Sequence, residues 1–226
     1  MSSRAGGTTI GPRTPAKPRP PSALEAAGSP DHDLEDESTF RRLGFMEMDL
    51  TGQSGESIEF EQCKFSRATL SGVVLEQSAF MDCRVENSDW ANLRTTKSSM
   101  LRVELQSVRL TGLTWVDGNW RDVTVRECRV DLATFRFSSF KDVAFIDCNL
   151  TRADFTNADL RGAHFTGCDL TAAQFAQADA AGARFTRCEL AGIGSVERLR
   201  GATVSGHDLV ALSHTLAGAL GIQIGE

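Results

Sequence analysis

Six cysteines and four histidines have the widest chemical repertoire in this 226-residue chain. Cys63 and Cys83 lie 20 residues apart, and Cys128, Cys148, Cys168 and Cys188 follow one another at the same interval. Thiols can ligate zinc, close disulfides or attack as nucleophiles, but each use needs a partner at the right distance. No CxxC pair occurs, and His32, His164, His207 and His214 are scattered, so no four-ligand set converges. No phosphate loop, HExxH, GxSxG or GxGxxG is present either. We therefore assign no catalytic, cofactor-binding or metal-ligating residue, and expect neither a cofactor nor an enzyme. A cysteine every 20 residues, without chemistry attached, points to a structural period that keeps returning a small apolar side chain to one buried place.

That period has a finer unit. Taking every fifth residue from Phe40 to Leu190 gives 31 positions, of which 28 hold Phe, Leu, Met, Trp or Val; the exceptions are Gly55, Thr95 and Ala180. A five-residue step drifts around an α-helix and alternates faces of a straight strand, so neither element explains it. A short extended piece followed by a corner does. The large residue, here called the centre, then points inward, and so does the residue two before it. In the clearest region that second position reads Cys148, Ala153, Ala158, Ala163, Cys168, Ala173, Ala178, Ala183, Cys188, which is small throughout. All six cysteines occupy it. Thr or Ser often follows the centre and Gly the residue after, as a tight corner requires.

The run ADFTN ADLRG AHFTG CDLTA, beginning at Ala153, resembles the A(D/N)LXX pattern of the pentapeptide-repeat family. The resemblance spans about residues 38–194, is sharpest from Val143 to Leu190, and loosens from Thr95 to Val130, where Val103, Val108, Leu113 and Val123 replace the small residue. It implies an all-β solenoid, a right-handed quadrilateral β-helix with four pentapeptides per 20-residue coil. The 31 repeats would make about 7–8 coils, or a rod of roughly 37 Å at ~4.8 Å per rung. Residues 20 apart should then stack. One column reads Leu50, Leu70, Trp90, Leu110, Val130, Leu150, Leu170, Leu190, and its neighbour Phe45, Phe65, Val85, Leu105, Val125, Phe145, Phe165, Phe185. Stacked cysteines could meet disulfide geometry, but their inward parallel orientation favours plain packing. Trp90, Trp115 and Trp120 are centres and so core. Gly118 compensates the volume of Trp120, whereas Leu113 does not compensate Trp115, so a bulge is expected at Trp115.

Both termini depart from the repeat. Residues 1–37 hold all six prolines, a basic half with Arg4, Arg13, Lys17 and Arg19, and an acidic half from Asp31 to Glu37. Such a segment cannot order itself by burial, so a disordered arm is expected. It contains no apolar stretch of a secretory signal, and no run of 18 apolar residues marks a membrane helix, so a cytoplasmic location is expected. Residues 195–226 read as a helical element. Ser205 is placed as its N-cap, Gly221 as its C-cap, and Ile222 and Ile224 as a closing extended piece. Leu209, Leu212, Leu216 and Leu220 form an apolar stripe that either caps the open coil or pairs two copies in a homodimer.

A filled coil leaves only its surface for function. The first expectation is a non-enzymatic protein-interaction or scaffolding module whose faces dock a protein partner. Val116, Leu132, Phe137 and Ile146 stand at corner positions that are usually polar, and are the candidate partner patch. The resemblance implies an alternative, because some pentapeptide-repeat proteins imitate a DNA duplex, bind DNA gyrase and protect this type II topoisomerase from quinolones. Mimicry needs a strongly negative surface, yet residues 38–195 carry 21 acids against 18 bases. The net charge of −6 also argues against direct binding of nucleic acid.

Overall fold

The computed structural model describes residues 13–223. The backbone rises as a β-solenoid in which parallel strands pair at intervals of 20 residues, such as Phe145 with Phe165 and Phe165 with Phe185. Each coil turns at the residue two after a centre, and these residues adopt left-handed conformations, with φ near 50–60° at non-glycine positions such as Asp82, Asp122, Asn157 and Gln177. Four such corners per 20 residues make the coil four-sided. We name the sides by their centres: the first carries Phe45 to Phe185, the second Leu50 to Leu190, the third Gly55 to Phe175 and the fourth Phe40 to Ala180.

Of the 31 centres, all but Gly55 are buried. Phenylalanines stack within a column, as Phe145 on Phe165 at 5.1 Å and 4°, and meet edge-to-face between columns, as Phe155 and Phe165 at 6.0 Å and 80°. Both are favoured geometries of the ring quadrupole. At Gly55 the missing side chain is replaced from Ile58, whose Cδ1 would lie 2.5 Å from a methyl group placed on the glycine. The ladder runs without interruption through Trp115, which pairs with Thr95 and donates its main-chain N–H to the Thr134 carbonyl at 2.8 Å. The expected bulge is absent because Gly118 opens the space for Trp115 itself, a relation across the corner rather than within one repeat.

The cysteine spacing has a hydrogen-bonding cause. At the corner from the second to the third side, the N–H three residues beyond the centre returns to the centre's carbonyl, as Ala153 to Leu150 at 2.9 Å. At the corner from the first to the second side a side chain of the next coil accepts that N–H: Val108 donates to Cys128 Sγ at 3.4 Å, and Ala68 to Ser88 Oγ at 3.1 Å. Each thiol in turn donates to a carbonyl 23 residues back, Cys148 to Val125, Cys168 to Phe145 and Cys188 to Phe165, all at 3.4 Å. All six cysteines are buried and free, as small-site packing requires. Burial pushes the Cys83 thiol up, and neighbouring thiols together with burial push Cys128 and Cys168 up.

Where valine takes the small position, the corner from the fourth to the first side lies within a continuous strand. Strands Ser99–Gln106, Asn119–Arg126 and Ser139–Ile146 run through it without a break, with Val103, Val123 and Val143 buried beneath. The turn is kept within the strand, since Arg102, Asp122 and Asp142 have φ of 52°, 54° and 54°.

The rod is longer than the repeat predicts. Ten strands stack along the first side, from Glu25–Ala26 to Thr203–Val204, so there are about nine turns rather than 7–8. The extra rungs come from segments without the repeat motif: Glu25 pairs with Leu43 and Arg184 with Thr203, offsets of 18 and 19 residues. Leu34 closes one end of the core and Ile193, Val196 and Leu199 the other. The expected disordered arm therefore divides. Residues 1–12 lie outside the described residues, while residues 13–37 lie against the rod. The rod supplies the surface and acceptors that this segment cannot provide for itself, as when Ala16 N–H donates to Asp122 Oδ1 at 2.9 Å.

The C-terminal helix spans Leu209–Ala219. Ser205 precedes a short 3-10 turn, Gly206–Asp208, instead of capping the helix directly, and its hydroxyl donates to Asp208 Oδ2 at 2.8 Å. Gly221, at φ 69°, ends the helix: its N–H returns to Gly218 and that of Ile222 to Ala217. This is the paired closure a left-handed glycine allows. Ile224 lies outside the described residues. Among the described residues no helix is long and apolar enough to cross a membrane.

Candidate functional site

The four outward apolar residues singled out from the sequence fall on different parts of the rod. Leu132 marks the corner between the second and third sides, and Phe137 the next corner of the same coil, so the two bound one edge each of the third side. They are 53 % and 58 % exposed, and both have φ of 59°. Val116, half-buried, lies on the same side one coil earlier, where Asp117 N–H bonds to the Arg136 carbonyl at 3.0 Å. Ile146, also half-buried, belongs to the first side and is not brought to the other three. Sequence position alone missed Val74, 37 % exposed on the third side; its signal is a β-branched residue just before a centre.

Left-handed backbone is costly for large L-residues, and Phe and Leu gain nothing there from the local hydrogen bonding that draws Asn or Asp. Thr134 and Arg136 lie on the same side between Leu132 and Phe137, and Arg136 Nε donates to Asp154 Oδ2 at 2.6 Å. Asp154 is held below the ordinary carboxylate range: burial raises it, and bonds from Thr156 and Arg136 more than offset that. The surface is thus an apolar pair framing a fixed, neutralised ion pair.

Of the helix stripe, Leu212 alone is buried, while Leu209, Leu216 and Leu220 are 52 %, 38 % and 74 % exposed. Val210 and Ile222 add to this exposed apolar area. Intramolecular capping therefore uses one leucine of the four.

Charges on the flanks are paired between rungs. Arg102 grips Asp82 through two bonds of 2.7 Å, Arg109 meets Asp89 at 3.1 Å, and Arg41 meets Glu61 at 2.9 Å. Among the described residues, no group of three His, Cys, Asp or Glu is placed to hold a metal ion. His164 is half-buried, and burial with the nearby Arg184 lowers its pKa, so it stays neutral near pH 7.

A family model for the pentapeptide repeat region matches residues 119–194. Comparison with curated proteins gave no match. Among solved structures, a trypsin-treated form of QnrB1, a plasmid-mediated fluoroquinolone resistance protein, is 22 % identical, with 90 % of this chain and 100 % of that chain covered and a TM-score of 0.41. HetL, a pentapeptide repeat protein involved in heterocyst differentiation regulation from the cyanobacterium Nostoc sp. strain PCC 7120, is 18 % identical, covering 74 % and 87 %, at a TM-score of 0.30. At these values neither likeness bears on partner or activity. The matched residues lie within an uninterrupted series of 20-residue coils built from five-residue units, so this stretch of the rod is a pentapeptide repeat region.

Proposed function

We propose that the protein is a non-enzymatic interaction module, a stiff rod that presents partner surfaces on its sides. The observation that carries this is the pair Leu132 and Phe137, exposed, apolar, and held in left-handed backbone at the two edges of one side. Local stability favours Asn or Gly at both places, so the large side chains have their use outside the fold. The filled core agrees, since catalysis on a small substrate needs a concave site and the coil interior is packed with side chains. The exposed helix leucines supply a second apolar surface, suited to a homodimer contact.

Phe137→Ser, combined with Leu132→Ser, is the test. Partner capture from the native organism should fall while the melting temperature does not. Undiminished capture, or a large loss of stability, refutes the assignment. DNA gyrase is the alternative partner, and the pairing of acids with arginines on neighbouring rungs weighs against duplex mimicry. A supercoiling titration separates the two: no effect at micromolar protein removes gyrase, and inhibition or quinolone protection removes the neutral-surface reading.

A further inference from the structure

The segment Thr14–Pro21 lies along the corner between the fourth and first sides, away from the Phe137 side. Pro15 and Pro18 are buried and Pro21 half-buried, while Thr14, Lys17 and Arg19 face outward. Inward prolines at every third residue match the period of a polyproline II helix, which rises ~3.1 Å per residue and so ~9 Å per turn. Rungs of the rod are ~4.8 Å apart, so one polyproline turn spans two rungs.

The hydrogen bonds follow this match. Ala16 N–H donates to Asp122 Oδ1 at 2.9 Å, and Arg19 N–H, three residues on, donates to Asp82 Oδ1 at 3.0 Å, two coils away. Arg102 stands on the rung between them, fixed by its two bonds to Asp82, which is 7 % exposed. Gln62 Nε2 donates to the Arg19 carbonyl at 3.2 Å, and the Arg13 guanidinium reaches Asp142 at 3.5 Å. The corner thus reads three things: main-chain N–H groups three residues apart, prolines that face the rod, and a cation ahead of the first proline. A polyproline helix makes no internal hydrogen bonds, so any such segment offers these donors. The grip is modest, because an ion pair as exposed as Arg13 with Asp142 contributes little.

We propose that the corner groove of Asp82, Arg102, Asp122 and Asp142 is a binding site for a basic, proline-rich segment of another protein, with the spacing Pro-x-x-Pro. The chain's own Thr14–Pro21 is its resident, displaceable occupant. Charge complementarity favours this partner chemistry, since Arg13, ahead of the prolines, pairs with Asp142 in the groove. The tether gives the resident segment an effective concentration of about millimolar, so an incoming segment must exceed it in affinity or the strap must be loosened.

The test uses the full chain and a fluorescein-labelled peptide with the sequence of residues 12–22. Pro15→Ser with Pro18→Ser loosens the strap, and this variant should bind the peptide at least about tenfold more tightly than the parent chain. Adding Asp82→Gly and Asp122→Gly should abolish that gain. Both aspartates have φ of 54°, where glycine is unstrained, and unfolding curves confirm that the variants are folded. No saturable binding by the loosened chain overturns the proposal, as does binding indifferent to the two aspartates. A strap-dependent dimer in light scattering would make a second copy the occupant, and overturns the assignment to another protein.

Discussion

Gly118 sits between two buried tryptophans, Trp115 and Trp120, whose rings meet edge-to-face at 5.3 Å. A methyl group on its Cα would lie 2.1 Å from Trp115 Nε1, 2.6 Å from Trp115 Cδ1 and 2.7 Å from the Ser98 carbonyl oxygen. The backbone has little freedom to move away. Gly118 N–H is bonded to Ser138 Oγ at 3.2 Å, and that Ser98 carbonyl accepts from Asn119 N–H at 3.0 Å. Overpacking of this kind costs about 1–3 kcal/mol, and Gly118→Ala belongs at the upper end because one neighbour is main chain. For a domain of this size each kcal/mol moves the melting temperature by about 2–4 °C, so a cost of about 2–3 kcal/mol should lower it by about 4–12 °C. Thermal unfolding followed by tryptophan emission reads both the loss and the disturbed indoles. Trp115→Phe should recover part of it, since it withdraws the nearest atoms and an indole N–H that lacks a hydrogen-bond partner. Gly72→Ala is the control: nothing lies within 4 Å and only its φ of 69° opposes a side chain, for about 1–2 kcal/mol. A Gly118→Ala protein that melts within about 1 °C of the parent refutes this account of how the coil accommodates Trp115.

Three further outcomes follow from the same geometry. Cys128→Ser should cost little, because serine holds the equivalent place at Ser88 and Ser138, whereas Cys128→Val leaves the Val108 N–H unpaired and should cost about 1–3 kcal/mol in urea unfolding. Phe137→Asn should raise stability by about 1 kcal/mol, since asparagine tolerates the left-handed corner and Phe137 is more than half exposed. Burial raises the Asp82 pKa, but the Arg102 bonds and the Arg19 N–H more than offset it, so the net shift is downward. Its stabilising contribution is therefore present above the unfolded-state value and lost as pH falls through the lowered folded value. Protection of the Arg19 amide from hydrogen exchange should accordingly persist at pH 5 and above, taken about one unit over the ordinary Asp value, and disappear in stronger acid.

What could be read from the chain alone was whatever repeats. Burial of the centres, the 20-residue register, the small inward position and the buried cysteine columns all follow from one local rule applied 31 times, with each coil templating the next. Gly221 was legible for the same reason, since a helix end is a local event. The rest depended on contacts between segments distant in sequence. Composition marks residues 13–37 as unable to order themselves by their own burial, but Asp82 and Asp122 accept N–H groups from more than 60 residues away. The extra end rungs, the room Gly118 makes for Trp115, and the single helix leucine that finds a buried place are of this kind too. Leu132 and Phe137 stood out as exceptions to the repeat, yet their position at the two edges of one side, with Ile146 elsewhere, was decided by the closed coil. Period encodes which way a side chain points; only the packed solenoid decides what lies beside it.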